Sequence, residues 1–153
     1  MTSLDEQDMQ IIQLLRQNGR LTNQELADLV GLSASQCSRR RIQLEQAQWI
    51  LGYQAQVSPR LHANEIMALL EVKLTSHEDE FSQRFVNLVK EESTIIDAYK
   101  TTGDADYSLK LVVDNLGKLN TLITELFNSR LISHIKTSVI LARVKEAGVT
   151  ISN

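Results

Sequence analysis

The side chains best suited to specific chemistry cluster between positions 33 and 43: Ser33, Ser35, Gln36, Ser38, Arg39, Arg40, Arg41 and Gln43. Guanidinium and carboxamide groups make paired hydrogen bonds to base edges in a DNA major groove, while hydroxyls and further arginines suit phosphate oxygens. The cluster can therefore read DNA if it lies on one exposed helix face. A solvated charge run on a surface helix accounts for Arg39-Arg40-Arg41 alone equally well.

Other chemistries lack their residues. His62, His77 and His134 are scattered, and no paired Cys or His stands at metal-ligand spacing. No nucleophile elbow or phosphate loop occurs, so neither catalysis, metal nor cofactor is expected. Cys37 is the single cysteine and excludes an intramolecular disulfide, which suits a reducing compartment. No apolar run approaches the roughly 20 residues that span a bilayer, and no secretory leader opens the sequence, so a cytoplasmic location and no membrane partner are expected. The net charge of −3 excludes bulk electrostatic attraction to nucleic acid. Residues 1–58 hold five arginines against six acids, so any DNA contact must be local and one copy should bind weakly.

The elements that position the cluster follow from helix-start signals. Ser3 or Asp5 with Glu6 or Asp8, Thr22 with Glu25, and Ser33 with Gln36 have the spacing of reciprocal N-terminal caps. Gly31 can end the second helix with a positive φ, and Leu32 can plug the corner before Ser33 starts the third. Helix, short Gly-containing turn and longer helix outline a helix-turn-helix. On the third helix, Cys37 and Leu44 fall nearly in line at 100° per residue and mark the buried stripe. Ser35, Arg39 and Ile42 then point outward, Gln36, Ser38 and Gln43 flank them, and Arg40 and Arg41 sit at the core margin. Ser35, Gln36, Ser38 and Arg39 are thus expected at base edges, with Arg40 and Arg41 on phosphates.

Beyond Gln48 the period changes. Residues 53–57 alternate like a strand that Ser58-Pro59 ends. There follow a strand over 66–74, a helix over 78–91, strands over 95–102 and 107–113, a helix over 116–128 and a strand over 132–143. That order is a ferredoxin-like βαββαβ unit, with Gly103-Asp104-Ala105-Asp106 as its central hairpin. The fold class is α+β: a helix-turn-helix, winged-helix-like segment at 1–50, a linker strand at 51–63 and an αβ domain at 64–153. Apolar residues Met67, Leu69, Val72, Leu74, Leu109, Leu111 and Val113 exceed what two helices cover, so a second copy is expected against the open sheet face.

The whole chain resembles the Lrp/AsnC family of regulators. The resemblance rests on Leu4-Asp5-x-x-Asp8, Asn18-Gly19-Arg20-Leu21-Thr22, Glu25-Leu26-Ala27, Val30-Gly31-Leu32-Ser33-x-Ser35, Arg40, Leu44-Glu45, Gly52-Tyr53-x-Ala55 and Thr102-Gly103-Asp104-Ala105-Asp106-Tyr107. Departures are Gln48, where the family usually has a small residue such as Gly, Arg41, where it has a branched apolar one, and Leu131-Ile132-Ser133, near which it has a Pro-Gly-Val run. The resemblance implies a sequence-specific transcriptional regulator that binds double-stranded DNA. It also implies a homodimer assembling to a tetramer or octamer, and an amino acid or related metabolite bound between neighbouring dimers beside the hairpin. Tyr99, Thr102, Gly103, Asp104, Asp106 and Tyr107 are the residues implied for that effector, the two carboxylates suiting an ammonium group. Ordinary turn chemistry explains both aspartates equally well. An architectural, nucleoid-organising DNA-binding protein without an effector is the competing reading, and a small ferredoxin-like enzyme with a helical partner-binding module is a third.

Overall fold

A computed structural model of the chain describes residues 4–55, 57–58, 64–146 and 149–150, with the side chains of residues 146, 149 and 150 left aside. It divides into two compact units, Met1–Val57 and Ser58–Asn153.

The first unit holds three helices, α1 (Glu6–Gln17), α2 (Asn23–Val30) and α3 (Ala34–Gln46). Each opens with a reciprocal cap, Asp5 with Asp8, Thr22 with Glu25 and Ser33 with Gln36. Every such cap satisfies two N–H groups that the helix start leaves bare, and is worth about 1 kcal/mol. Gly31 ends α2 at φ 74°, donating its N–H to the Ala27 carbonyl. Ile11 and Leu15 of α1, Leu26 and Ala27 of α2, and Cys37 and Leu44 of α3 form the core. Burial pushes the Cys37 thiol pKa up, as an inert core residue requires.

After α3, Gln48 adopts φ 58°, a left-handed conformation at the position where a small residue was expected from the family pattern. The segment beyond it departs from expectation. Residues 51–55, Val57 and Ser58 form no strand, although 53–57 alternate as one would. Alternation supplies side-chain parity, but a strand also needs a hydrogen-bonded neighbour, and residues 51–55 pair with no strand among the described residues. The remainder of the expected linker, residues 56 and 59–63, and Ser3 lie outside the described residues.

The second unit runs β1 (Ile66–Leu74), α4 (Asp79–Glu91), β2 (Ile95–Lys100), β3 (Tyr107–Val113), α5 (Leu116–Asn128) and β4 (Ile132–Val139). The four strands make an antiparallel sheet in the order β2-β3-β1-β4, the ferredoxin-like arrangement. The strand expected over 132–143 stops at Val139 and is followed by a short hairpin, β5 (Lys145–Glu146) with β6 (Val149–Thr150). The strand expected over 95–102 stops at Lys100, where the hairpin closes by Thr101 N–H donating to the Asp106 carbonyl at 2.9 Å.

Both helices cover one face of the sheet. Leu70, Val72, Leu109 and Leu111 pack there with Phe85 of α4 and Leu119, Leu122 and Leu126 of α5. The expected apolar surplus on the open face is small. Val72, Leu74, Leu109, Leu111 and Val113 are buried under the helices, while Met67 and Leu69 lie on the other side. The reason is strand parity: Leu69 and Val72 are separated by an odd number of residues and point to opposite faces. The open face is instead largely polar, carrying Glu71, Lys73, Ser108, Lys110, His134 and Lys136.

Candidate functional site

Two places gather chemistry-bearing side chains, one in each unit. On α3 the three consecutive arginines have different fates. Arg40 turns inward, its Nη1 donating to Asp5 Oδ2 and Asp8 Oδ1, both at 2.7 Å. It thereby ties α3 to the capping box of α1. The Asp8 backbone N–H, and after it the Arg40 guanidinium, hold the Asp5 carboxyl below the usual carboxylate range, while the two aspartates raise the Arg40 pKa. Arg41 packs over the Tyr53 ring, with its guanidinium carbon 4.5 Å from the centroid. Its Nε donates to the Tyr53 hydroxyl at 2.8 Å and lies 3.3 Å from Glu45 Oε1, and its Nη1 reaches the Leu21 carbonyl at 3.3 Å. Tyr53 in turn donates to Glu45 at 2.8 Å and lies against Gly19, where a Cβ would stand 3.1 Å from its ring. Burial and the bond to Glu45 raise the tyrosine pKa, against the opposing effect of Arg41.

Arg39 is exposed and makes no hydrogen bond or ion pair among the described residues. Ser35, Gln36, Ile42 and Gln43 are exposed beside it, and Ser38 is half-buried. Ser33 and Gln36 are engaged in the cap: the Ser33 N–H and Oγ both donate to Gln36 Oε1 at 2.9 Å, which leaves the Gln36 amide NH2 outward. Ser35 Oγ lies 3.1 Å from Ser33 Oγ.

In the second unit a cleft of about 500 Å³ opens on the uncovered sheet face at the hairpin. Cross-strand pairing builds its floor, because residues directly opposite share a face: Ser108 sits opposite Glu71, which sits opposite Lys136, and Lys73 opposes His134. Thr101, Thr102, Asp104 and Ala105 of the hairpin form its wall. Lys136 Nζ pairs with Glu71 Oε2 at 2.8 Å, and Glu71, with a smaller contribution from Asp104, raises the lysine pKa. The Thr101 hydroxyl donates to the Ala105 carbonyl at 2.8 Å and closes the turn.

Of the six residues implied for an effector, Thr102 and Asp104 line this cleft. Gly103 adopts φ 111°, so it shapes the turn. Asp106 accepts from the Leu74 N–H at 2.8 Å and stands 3.5 Å from His77 Nδ1, while its own N–H donates to the Val72 carbonyl at 2.9 Å. It fastens the hairpin to β1. Tyr107 is buried on the helix side of the sheet, its ring centroid 4.7 Å from that of Phe85, hence away from the cleft. Tyr99 is exposed on the open face opposite Ser108, outside the lining. The sequence reading missed Glu71, Lys73, Ser108, His134 and Lys136, whose signal was charge or hydroxyl at alternate positions along three strands.

A family model for the AsnC-type helix-turn-helix domain matches residues 4–45, and one for the Lrp/AsnC ligand binding domain matches residues 67–150. The chain belongs to the Lrp/AsnC family. It is similar to the leucine-responsive regulatory protein of Rhizobium meliloti, with 32% identity over 94% of this chain and 93% of that protein. The Bkd operon transcriptional regulator of Pseudomonas aeruginosa is 31% identical over 81% of each. Among solved structures, a transcriptional regulator of Neisseria meningitidis in complex with L-methionine superposes with a TM-score of 0.78, 29% identity and 94% of each chain covered. This Lrp/AsnC protein is therefore a transcriptional regulator, and its domains and relatives are those of regulators rather than enzymes. No helix among the described residues is long and apolar enough to cross a membrane, and none of their His, Cys, Asp or Glu side chains form a group of three that would hold a metal ion.

Proposed function

We propose that this Lrp/AsnC regulator binds specific DNA sequences through the outward face of α3 and responds to an amino acid bound in the cleft beside the Gly103 hairpin. One observation carries the first half: of three consecutive arginines, Arg39 alone is exposed and unpaired, at the middle of a face shared with Ser35, the Gln36 amide and Gln43. A bidentate guanidinium contact to guanine is worth about 1–3 kcal/mol of discrimination. Arg40 and Arg41 hold the helix at the angle from which Arg39 reaches the groove, and Ser33 serves as its cap. With five arginines against six acids in residues 1–58, one reader is too weakly attracted to DNA to act alone. Two readers joined in a dimer raise the effective concentration of the second contact, so the preferred site is a pseudo-palindrome with half-sites about 10 bp apart or a multiple of it.

The second half rests on the cleft. A zwitterion needs an acceptor for its ammonium and a donor for its carboxylate, and the cleft is lined by Asp104 and Lys73. Thr102 and Ser108 add hydroxyls, Asp106 and Gly103 frame the turn, and Tyr107 belongs to the core beneath. The relative from Neisseria meningitidis, solved with L-methionine, supports an amino acid as the class of effector.

The test is binding of the full chain to an operator selected from random sequence, with and without each of the twenty amino acids. Operator binding should fall sharply when half a helical turn is inserted between half-sites, and one amino acid or a few should change it. Equal affinity for all sequences with no amino-acid effect would overturn the proposal in favour of an architectural role.

A further inference from the structure

The residues around Arg39 on the outward face of α3 are polar, with one exception. Ile42 is the one large apolar side chain that α3 exposes among the described residues, at 50%, and it stands outside the core cluster that Cys37 and Leu44 join. Helix propensity does not account for it either, since a β-branched side chain loses rotamer freedom in a helix and alanine or glutamine suits a solvated position better. A single exposed isoleucine elsewhere on the surface would call for no explanation. Here its place decides.

At 100° per residue Ile42 lies nearly in line with Ser35, about two turns away, and about 60° round from Arg39. It also stands about 4.5 Å further along the helix axis than Arg39, while stacked bases are about 3.4 Å apart. A helix that brings Arg39 to a base edge therefore carries Ile42 to the groove floor about one base pair on, where it loses its water. The major groove presents donors and acceptors there, and one apolar group, the C5-methyl of thymine. Against the polar edges the isoleucine would strip water from donors and acceptors and replace no hydrogen bond. Against the methyl it buries apolar surface on both sides. We infer that Ile42 is a specificity-determining residue of this regulator, selecting a thymine by its 5-methyl group at the base pair next to the one Arg39 reads. This rests on the outward face of α3 being the DNA-reading face, as proposed above.

The test uses the full chain and its selected operator, with each thymine changed in turn to uracil, which deletes the methyl and keeps every hydrogen-bonding group. One such change, next to the base pair at which Arg39→Ala relaxes preference, should weaken binding about fourfold, the equivalent of about 0.8 kcal/mol for one buried carbon. The same change should be without effect on Ile42→Ala, whose side chain is too short to reach the methyl. Melting curves check that Ile42→Ala is folded, as an exposed helix position allows. A fall in melting temperature of the size that a core deletion gives would show that Ile42 packs within the protein, and would overturn the inference. An operator that depends on Arg39, but with no thymine there responding to uracil, or responding equally in Ile42→Ala, would overturn the inference and leave the reading face standing. Failure to select any operator, or binding indifferent to Arg39→Ala, would overturn both.

Discussion

The helical unit and the sheet unit use charged side chains in opposite ways. In the helical unit Arg40 is bound to Asp5 and Asp8, Arg41 to Glu45 and Tyr53, and Glu25 to the start of α2, so Arg39 is the one arginine of α3 without a partner among the described residues. On the open face of the sheet, Lys73 and His134 make no side-chain hydrogen bond or ion pair among the described residues, and Asp104 acts on Lys136 only through its charge. The cores explain the contrast. Six residues are buried in the helical cluster and fourteen in the sheet cluster, among the described residues. A core of six leaves little hydrophobic stabilisation in reserve, so caps and ion pairs become structural there. A core of fourteen depends less on such surface pairs.

The severest way to break this comparison is to remove one large buried side chain from each core. Leu26→Ala and Leu109→Ala each delete a fully buried leucine and should each cost about 2–5 kcal/mol. The loss should unfold the helical unit, while the sheet unit stays folded with a lowered melting temperature. Hydrogen exchange followed segment by segment reads both outcomes. A Leu26→Ala chain whose helices remain protected would show that the small core is not the limiting element.

The next effect separates two adjacent arginines. Arg39→Ala should lose about 1–3 kcal/mol of operator binding and relax preference at one base position, with no change in melting temperature. Arg40→Ala should do the reverse in its primary effect, lowering the melting temperature because Asp5 and Asp8 lose the cation between them. Anisotropy titrations on variant operators, beside melting curves, make the comparison. If Arg39→Ala melts early and keeps its sequence preference, the division between an inward and an outward arginine is mistaken.

Acid sharpens the same contrast. Backbone N–H groups of Asp8 and Thr22 lower the pKa values of Asp5 and Glu25 respectively, and Arg40 adds to the shift of Asp5. Because these carboxyls titrate lower in the folded state than in the unfolded one, their contribution is fully present above the ordinary carboxylate range, about pH 4, and is lost as the pH falls through their folded values. The helical unit should therefore loosen as the pH falls below about 4, and Arg40→Ala should lose less over that fall than the unaltered chain. Circular dichroism melts at stepped pH check this, and an identical pH dependence in both proteins would detach Arg40 from the cap.

Much of the helical unit was legible because its signals are local. Ser, Thr or Asp followed three residues later by Glu, Gln or Asp gave the caps, and Cys37 with Leu44 gave the buried stripe that turned Arg39 outward. The partners of Arg40 and Arg41 were not legible, since Asp5 lies 35 residues and Tyr53 12 residues away along the chain, and only packing brings them together. In the sheet unit, element order was readable from period. The cleft was not, because it joins Lys73 to His134 through a register set by strand pairing, next to an irregularity between Lys73 and Leu74. The strand expected over 53–57 failed for the complementary reason, that alternation cannot supply the neighbour a strand requires.

The smallest expected effect compares two helix ends within the helical unit. Gly31 after α2 and Gln48 after α3 both adopt the left-handed region, at φ 74° and φ 58°. A residue with a Cβ is disfavoured there by roughly 1–2 kcal/mol, whereas glycine is not. No atom lies within 4 Å of a Cβ built on Gly31, so Gly31→Ala isolates the backbone cost from any clash and should destabilise the unit by about 1 kcal/mol. Gln48→Gly should do the opposite by a smaller margin. Relief of the strained backbone is partly cancelled by the greater freedom that glycine gives the unfolded chain, about 0.5–1 kcal/mol, so the net gain is about 0.5 kcal/mol. Chemical denaturation of the two variants reads both signs. A loss of stability in Gln48→Gly would mean that the glutamine side chain makes a contribution beyond its backbone angle, and that the turn after α3, unlike the turn after α2, is held by more than the conformation of one residue.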